Sequence, residues 1–123
     1  MAVTHVDAAR NGLANNICDQ LNSGFLEFRT SGDVEVAKLT LNATAFDDAP
    51  ATAVGKCTAN AITSDTSAAG GTIDRAALLT SGDADVVLMS SVLTSGGDIT
   101  ISSLSIGVGD TVSCSALTYE AAP

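Results

Sequence analysis

The chain has 123 residues and a formal net charge of −9, and its five basic residues (Arg10, Arg29, Lys38, Lys56, Arg75) all fall in the first 75 positions. A length of this order suits one domain, residues 1–123, and so acidic a surface repels phosphate backbones and anionic headgroups, which argues against nucleic-acid and membrane-surface partners. The hydrophobic share is 46%, but alanine and small β-branched residues dominate, Trp is missing, and Phe25, Phe28, Phe46 and Tyr119 are the only aromatics; a core of small side chains buries little area per residue, so part of the stability is expected from contacts between subunits.

Thr4 to Leu21 is the only long segment with helical periodicity. Val6, Ala9, Leu13, Ile17 and Leu21 recur at steps of three and four, which predicts a helix over about 4–22 with these residues on its buried stripe. Ala8, Asn11, Gly12, Asn15 and Asp19 fall on the opposite side and are expected to meet water. Thr4 is placed to cap the first turn, Asp7 lies near the positive end of the dipole, and Ser23-Gly24 supplies a stop. Arg10 falls on the apolar stripe by angle. It is expected to snorkel from the edge, or to pair with a carboxylate of the sheet or of a neighbouring subunit.

From about residue 25 to 119 the pattern is β. Phe25–Arg29 alternates as a first strand, Thr30-Ser31-Gly32-Asp33 turns, and Val34–Leu41 returns as its hairpin partner. The parity of the apolar residues changes within that second run, which calls for a bulge near Val36 or burial of both faces at one end. Asn42–Ala53 dissolves into Ala, Thr, Asp and Pro and is expected to be the longest surface loop. Phe46 inside it is either a plug on its own domain or an anchor for a neighbour. Val54–Thr63 and Thr72–Leu79 are further strands on either side of a polar turn. Thr80-Ser81-Gly82-Asp83 repeats the earlier tetrapeptide, and Asp85–Leu93 comes next with apolar residues in both parities, the mark of a central strand covered on both faces. Ile99–Leu104 and Thr111–Tyr119 complete about seven strands. The fold class expected is mainly β with one N-terminal α-helix: an antiparallel β-sandwich or roll with the helix packed on it.

Gly-Asp opens a strand at four turns (Gly32-Asp33, Gly82-Asp83, Gly97-Asp98, Gly109-Asp110), where glycine allows positive φ and aspartate bonds the backbone beyond it. Calcium is the functional alternative, but the acidic residues do not cluster within any one loop, and no metal or cofactor is expected. Cys18, Cys57 and Cys114 lack metal-ligand spacing and read as reduced, mostly buried thiols. Met1–Ile17 shows no continuous apolar run of the kind a signal peptide carries, and no later stretch has the length of a membrane span. His5, the one histidine, sits at the start of the helix with no carboxylate placed to orient it, and no phosphate loop or nucleotide fingerprint occurs. No catalytic residues are assigned, and an enzyme is not expected.

Four stretches carry a family resemblance: Ala2-Val3-Thr4-His5 leading into the helix, Leu26–Asp33, Thr58–Thr66 with Gly70-Gly71-Thr72, and Ser103–Val112. Together they resemble small structural proteins encoded among tailed-bacteriophage virion genes, over roughly Ala2 to Tyr119. Asp47-Asp48-Ala49-Pro50 and the three cysteines depart from that pattern. The role implied is a capsid decoration (cement) protein on the outside of the head, made in the host cytoplasm. Its implied partners are the major capsid protein and other copies of itself, as a homotrimer. A tail, baseplate or head–tail joining component, or a host-recognition module, is the alternative. The contact is expected along Val3, Thr4, His5 and Val6, with Arg10 and with the loop around Phe46.

Overall fold

The computed structural model describes residues 6–49, 54–89, 92–93, 99–101, 103–114 and 117–120. It opens on α1 (Asp7–Asp19) and continues through β1 (Phe25–Arg29), β2 (Glu35–Thr40), β3 (Phe46–Asp47), β4 (Lys56–Ala59), β5 (Gly71–Thr72) and β6 (Arg75–Leu79). β7 (Asp85–Met89), β8 (Val92–Leu93), β9 (Ile99–Thr100), β10 (Ser105–Ile106) and β11 (Thr118–Glu120) complete the order. The largest sheet runs β2-β1-β6-β7, a second runs β11-β4-β3, and β10-β5 and β8-β9 form pairs. Every pairing is antiparallel except β8 with β9. The chain is therefore mainly β, in sandwich form, with the helix lying against β4 and β11.

Two identical turns organise the largest sheet. Thr30 Oγ1 accepts from the amides of Gly32 and Val34, each at 3.2 Å, and Thr80 Oγ1 accepts from Gly82 and Ala84 at the same 3.2 Å. In both turns the aspartate, and not the expected glycine, takes the left-handed backbone, with φ 61° at Asp33 and 65° at Asp83; aspartate tolerates that region because its short side chain bonds locally. Each turn closes a hairpin, β1–β2 and β6–β7, and each hairpin carries one extra residue at the same place. Val36 lies between the pairs Phe28↔Ala37 and Arg29↔Glu35, and Val86 lies between Leu78↔Val87 and Leu79↔Asp85. The expected bulge at Val36 is thus present and has a twin fifty residues on. The hairpins join through their inner strands, where Phe25 pairs with Leu79 and Arg29 with Arg75, so Glu27↔Ala77 marks a local pseudo-two-fold axis.

One cluster of buried side chains joins helix and sheets: Ala14, Cys18 and Leu21 from α1 and its exit, Leu26, Phe28, Leu39 and Leu78 from the large sheet, and Phe46 and Cys57 from the second. Ala77 and Leu79 are buried as well but lie outside that cluster. They belong to the other face of the large sheet, shielded by its longer side chains.

Three local expectations change. Thr72–Leu79 is two strands, because the chain switches partners between them: Thr72 pairs with β10, whereas the amide of Asp74 already bonds Arg29 O at 2.9 Å. Thr111–Tyr119 is likewise divided among the described residues, with Val112 bridged to Asp65 and Thr118–Glu120 forming a strand against β4. The 42–53 loop holds β3, so it is not structureless; Pro50 and 51–53 lie outside the described residues, as does the turn at 94–98 with its Gly97-Asp98.

Candidate functional site

α1 faces the body with a different side from the one its apolar spacing indicates. Ala14 and Cys18 are its buried residues, whereas Val6 is 73% and Leu13 47% exposed. The helix is turned by about one residue, roughly 100°. The reason lies in hydrogen bonds: Asn15 Oδ1 accepts from the amide of Ala49 at 2.6 Å and Asn11 Oδ1 from the amide of Gly55 at 2.7 Å. These two asparagines, expected in water, satisfy main-chain donors of the neighbouring loop, and burying an amide without a partner costs more than the apolar stripe loses by staying wet. The helix begins at Asp7 with Val6 in the cap position and no side-chain cap. Thr4, the expected cap, lies outside the described residues.

The expected contact residues are dispersed. Val3, Thr4 and His5 lie outside the described residues. Val6 is exposed at the start of α1. Arg10 is half-buried over Gly55, where an added Cβ would come 3.3 Å from the Arg10 Cβ. Phe46 is 3% exposed and pairs with Ala59 in β3–β4, so of its two readings the structure shows the plug, and its ring offers nothing to a neighbour.

The largest correction concerns Asp85–Leu93. Its apolar pattern places it at the centre of a sheet, whereas β7 lies at the edge. Alternation is lost because Val86 is the bulge residue, which shifts the parity of the residues after it. Apolar residues on both sides of this strand therefore do not report burial: Leu88 is 70% exposed. The opposite edge, β2, is closed by the chain itself. Thr40 and Thr63 exchange two main-chain hydrogen bonds at 3.2 and 2.9 Å, and Gly70 N bonds Val36 O at 3.2 Å. Asp65 Oδ2 accepts from Lys38 N at 2.9 Å. β7 has no comparable cover among the described residues.

The face that carries Leu88 is ionic. Arg29 donates to Glu27 at 2.6 Å and to Asp85 at 2.7 Å. The Arg29 guanidinium holds the Asp85 carboxyl below the ordinary carboxylate range. Lys38 pairs with Asp83 and sits 4.2 Å above the Phe25 ring, while Arg75 reaches Asp33 at 3.5 Å. Each turn aspartate thus meets a cation from the other hairpin. Arg29, Asp33, Arg75, Asp85, Leu88 and Met89 line a cleft of about 310 Å³ beside the β7 edge. At the α1–β4 contact, Cys18 and Cys57 lie side by side, with Cys57 Sγ 3.6 Å from Asn15 Oδ1; burial, and then the Cys57 thiol, push Cys18 far above its ordinary range. A thiol so placed is a packing group and a poor nucleophile. Among the described residues no group of three or more His, Cys, Asp or Glu is arranged to hold a metal ion, and no helix is long and apolar enough to cross a membrane.

No family model, curated protein or solved structure matches this chain.

The binding chemistry of this arrangement resides in the edge. An extended strand whose outer main-chain donors and acceptors no described residue claims, with apolar side chains and an ion-paired rim, is suited to holding another polypeptide by strand addition. Sequence reasoning missed it because an apolar run reports what a strand needs covered, and not whether its own chain supplies the cover.

Proposed function

We propose that this chain is a non-enzymatic structural protein of a tailed-bacteriophage virion, a capsid decoration protein that sits outside the head and bridges major-capsid subunits. The observation that carries the reading is β7, an apolar strand at a sheet edge with Leu88 in solvent. Soluble proteins normally blunt such an edge with charge, proline or a covering segment, and leave it bare where another chain occupies it. The exposed Val6 and Leu13 on α1 form a second apolar patch on a different element, which leaves a surface for the shell when another chain, a like copy included, takes the β7 edge. The resemblance of Leu26–Asp33 and Ser103–Val112 to phage structural proteins supplies the virion context. The net charge of −9 suits a place on the outer surface, away from the packaged genome. Binding only the assembled shell stabilises it by mass action, because each bound copy must dissociate before the lattice can open.

Purified particles decide the matter. A reconstruction of filled heads should show density of this size on the outer surface between major-capsid subunits, and particles lacking the protein should release their genome at lower temperature. Density confined to the tail or baseplate, or particles without the polypeptide, would overturn the assignment.

A further inference from the structure

We infer that the open edge of β7 is the contact between two copies of this chain, paired antiparallel about a two-fold axis at Leu88. The inference names the self-contact and takes its biological role from the decoration reading. Its test uses the purified chain, so it can fail without the particle assignment failing.

The internal repeat shows what the edge lacks. The β1–β2 and β6–β7 hairpins share a turn, a bulge and a register at an offset of fifty residues, which makes Val86 and Leu88 the equivalents of Val36 and Lys38. On β2 those two residues turn main-chain groups outward, and the chain fills them: Val36 O receives Gly70 N, and Lys38 N gives to Asp65. By that equivalence Leu88 N and Val86 O face outward on β7, where the described residues supply no such segment.

A second copy of β7 fits this edge in three respects. The side chains are self-complementary: with Leu88 opposite Leu88 of the second copy, Val87 falls opposite Met89, so apolar meets apolar in both directions. The charges are compatible. Val86–Met89 contains no ionisable group, whereas an acidic or basic partner strand would find nothing there to match. The nearest carboxylates, Asp83 and Asp85, are already engaged by Lys38 and Arg29 within their own subunit, so two copies meet without opposing bare charges. The bulge fixes the register: regular backbone runs from Val87 to Met89, beyond Val86, so pairing centres on Leu88 rather than on the irregular start of the strand. The product is one continuous sheet in which β7 becomes a central strand and the two Leu88 side chains cover each other across the seam.

Sedimentation equilibrium on the full chain should give a dimer, and Leu88→Lys should weaken it by at least about tenfold. Val108→Lys, at an apolar residue 86% open on another turn, should leave it intact. Leu88→Cys should give a covalent dimer on copper-phenanthroline-catalysed air oxidation, because residues paired on a two-fold axis lie within disulfide reach; the buried native thiols should not. A chain that stays monomeric to millimolar concentration, a dimer or trimer that Leu88→Lys leaves unchanged, or Leu88→Cys that does not cross-link would each overturn the pairing.

Discussion

At the scale of single residues, glycine separates two demands. Gly24, between the helix exit and β1, has no room for a side chain: an added Cβ would sit 2.0 Å from Leu79 O and 2.8 Å from Leu21 O. Both are main-chain atoms of packed elements and cannot swing aside. Gly24→Ala is expected to cost about 3 kcal/mol through forced displacement of the helix from the sheet. Gly12, in the middle of α1, has nothing within 4 Å, and Gly12→Ala should stabilise by about 1 kcal/mol through helix propensity. Urea unfolding of the pair reads both signs. The thiols give a second residue-scale expectation. Cys18, Cys57 and Cys114 are 3%, 0% and 8% exposed, so a disulfide reagent at neutral pH should find no rapidly reacting thiol in the native chain and all three after denaturation.

At the scale of elements, β2 shows how an edge is closed. Asp65 is the hinge of that closure: its carboxylate accepts from Lys38 N at 2.9 Å and Ser67 N at 2.8 Å, while its own main chain exchanges bonds with Val112. Asp65→Ala leaves two amides without partners and should destabilise by about 2 kcal/mol, with faster hydrogen exchange at Lys38 as the local signature. Elements also show what could be read without coordinates. The first hairpin, its turn and the bulge at Val36 were legible because alternation, turn residues and a parity change are local signals. The helix was legible in existence but not in orientation. Val6, Ala9 and Leu13 make a convincing stripe, yet the amides of Ala49 and Gly55, more than thirty residues away, draw Asn11 and Asn15 inward. The β7 edge was unreadable for the same reason: whether a strand is central depends on partners that the strand itself does not encode.

For the whole molecule, charge sets the conditions. Asp85 is held below its ordinary range in the folded state by the Arg29 hydrogen bond. Its contribution to stability is therefore complete at neutral pH, and is lost as pH falls through that lowered value. Asp85→Asn should be less stable than the parent at neutral pH, and the gap should close on acidification; a gap independent of pH would remove Asp85 from the account. Because both copies carry −9, added salt should tighten rather than loosen the two-fold dimer, by screening their mutual repulsion.

The pseudo-two-fold junction also orders the steps by which the chain reaches its native state. Each hairpin closes over a four-residue turn, Thr30–Asp33 or Thr80–Asp83, and can form on the microsecond scale. Joining β1 to β6 must instead close a loop of some fifty residues, with an entropic cost that no local contact repays beforehand. The hairpins should therefore be early and nearly independent, and their docking rate-limiting. Loosening either turn, already formed when docking begins, should therefore slow refolding and leave the unfolding rate nearly unchanged, as stopped-flow urea jumps would show.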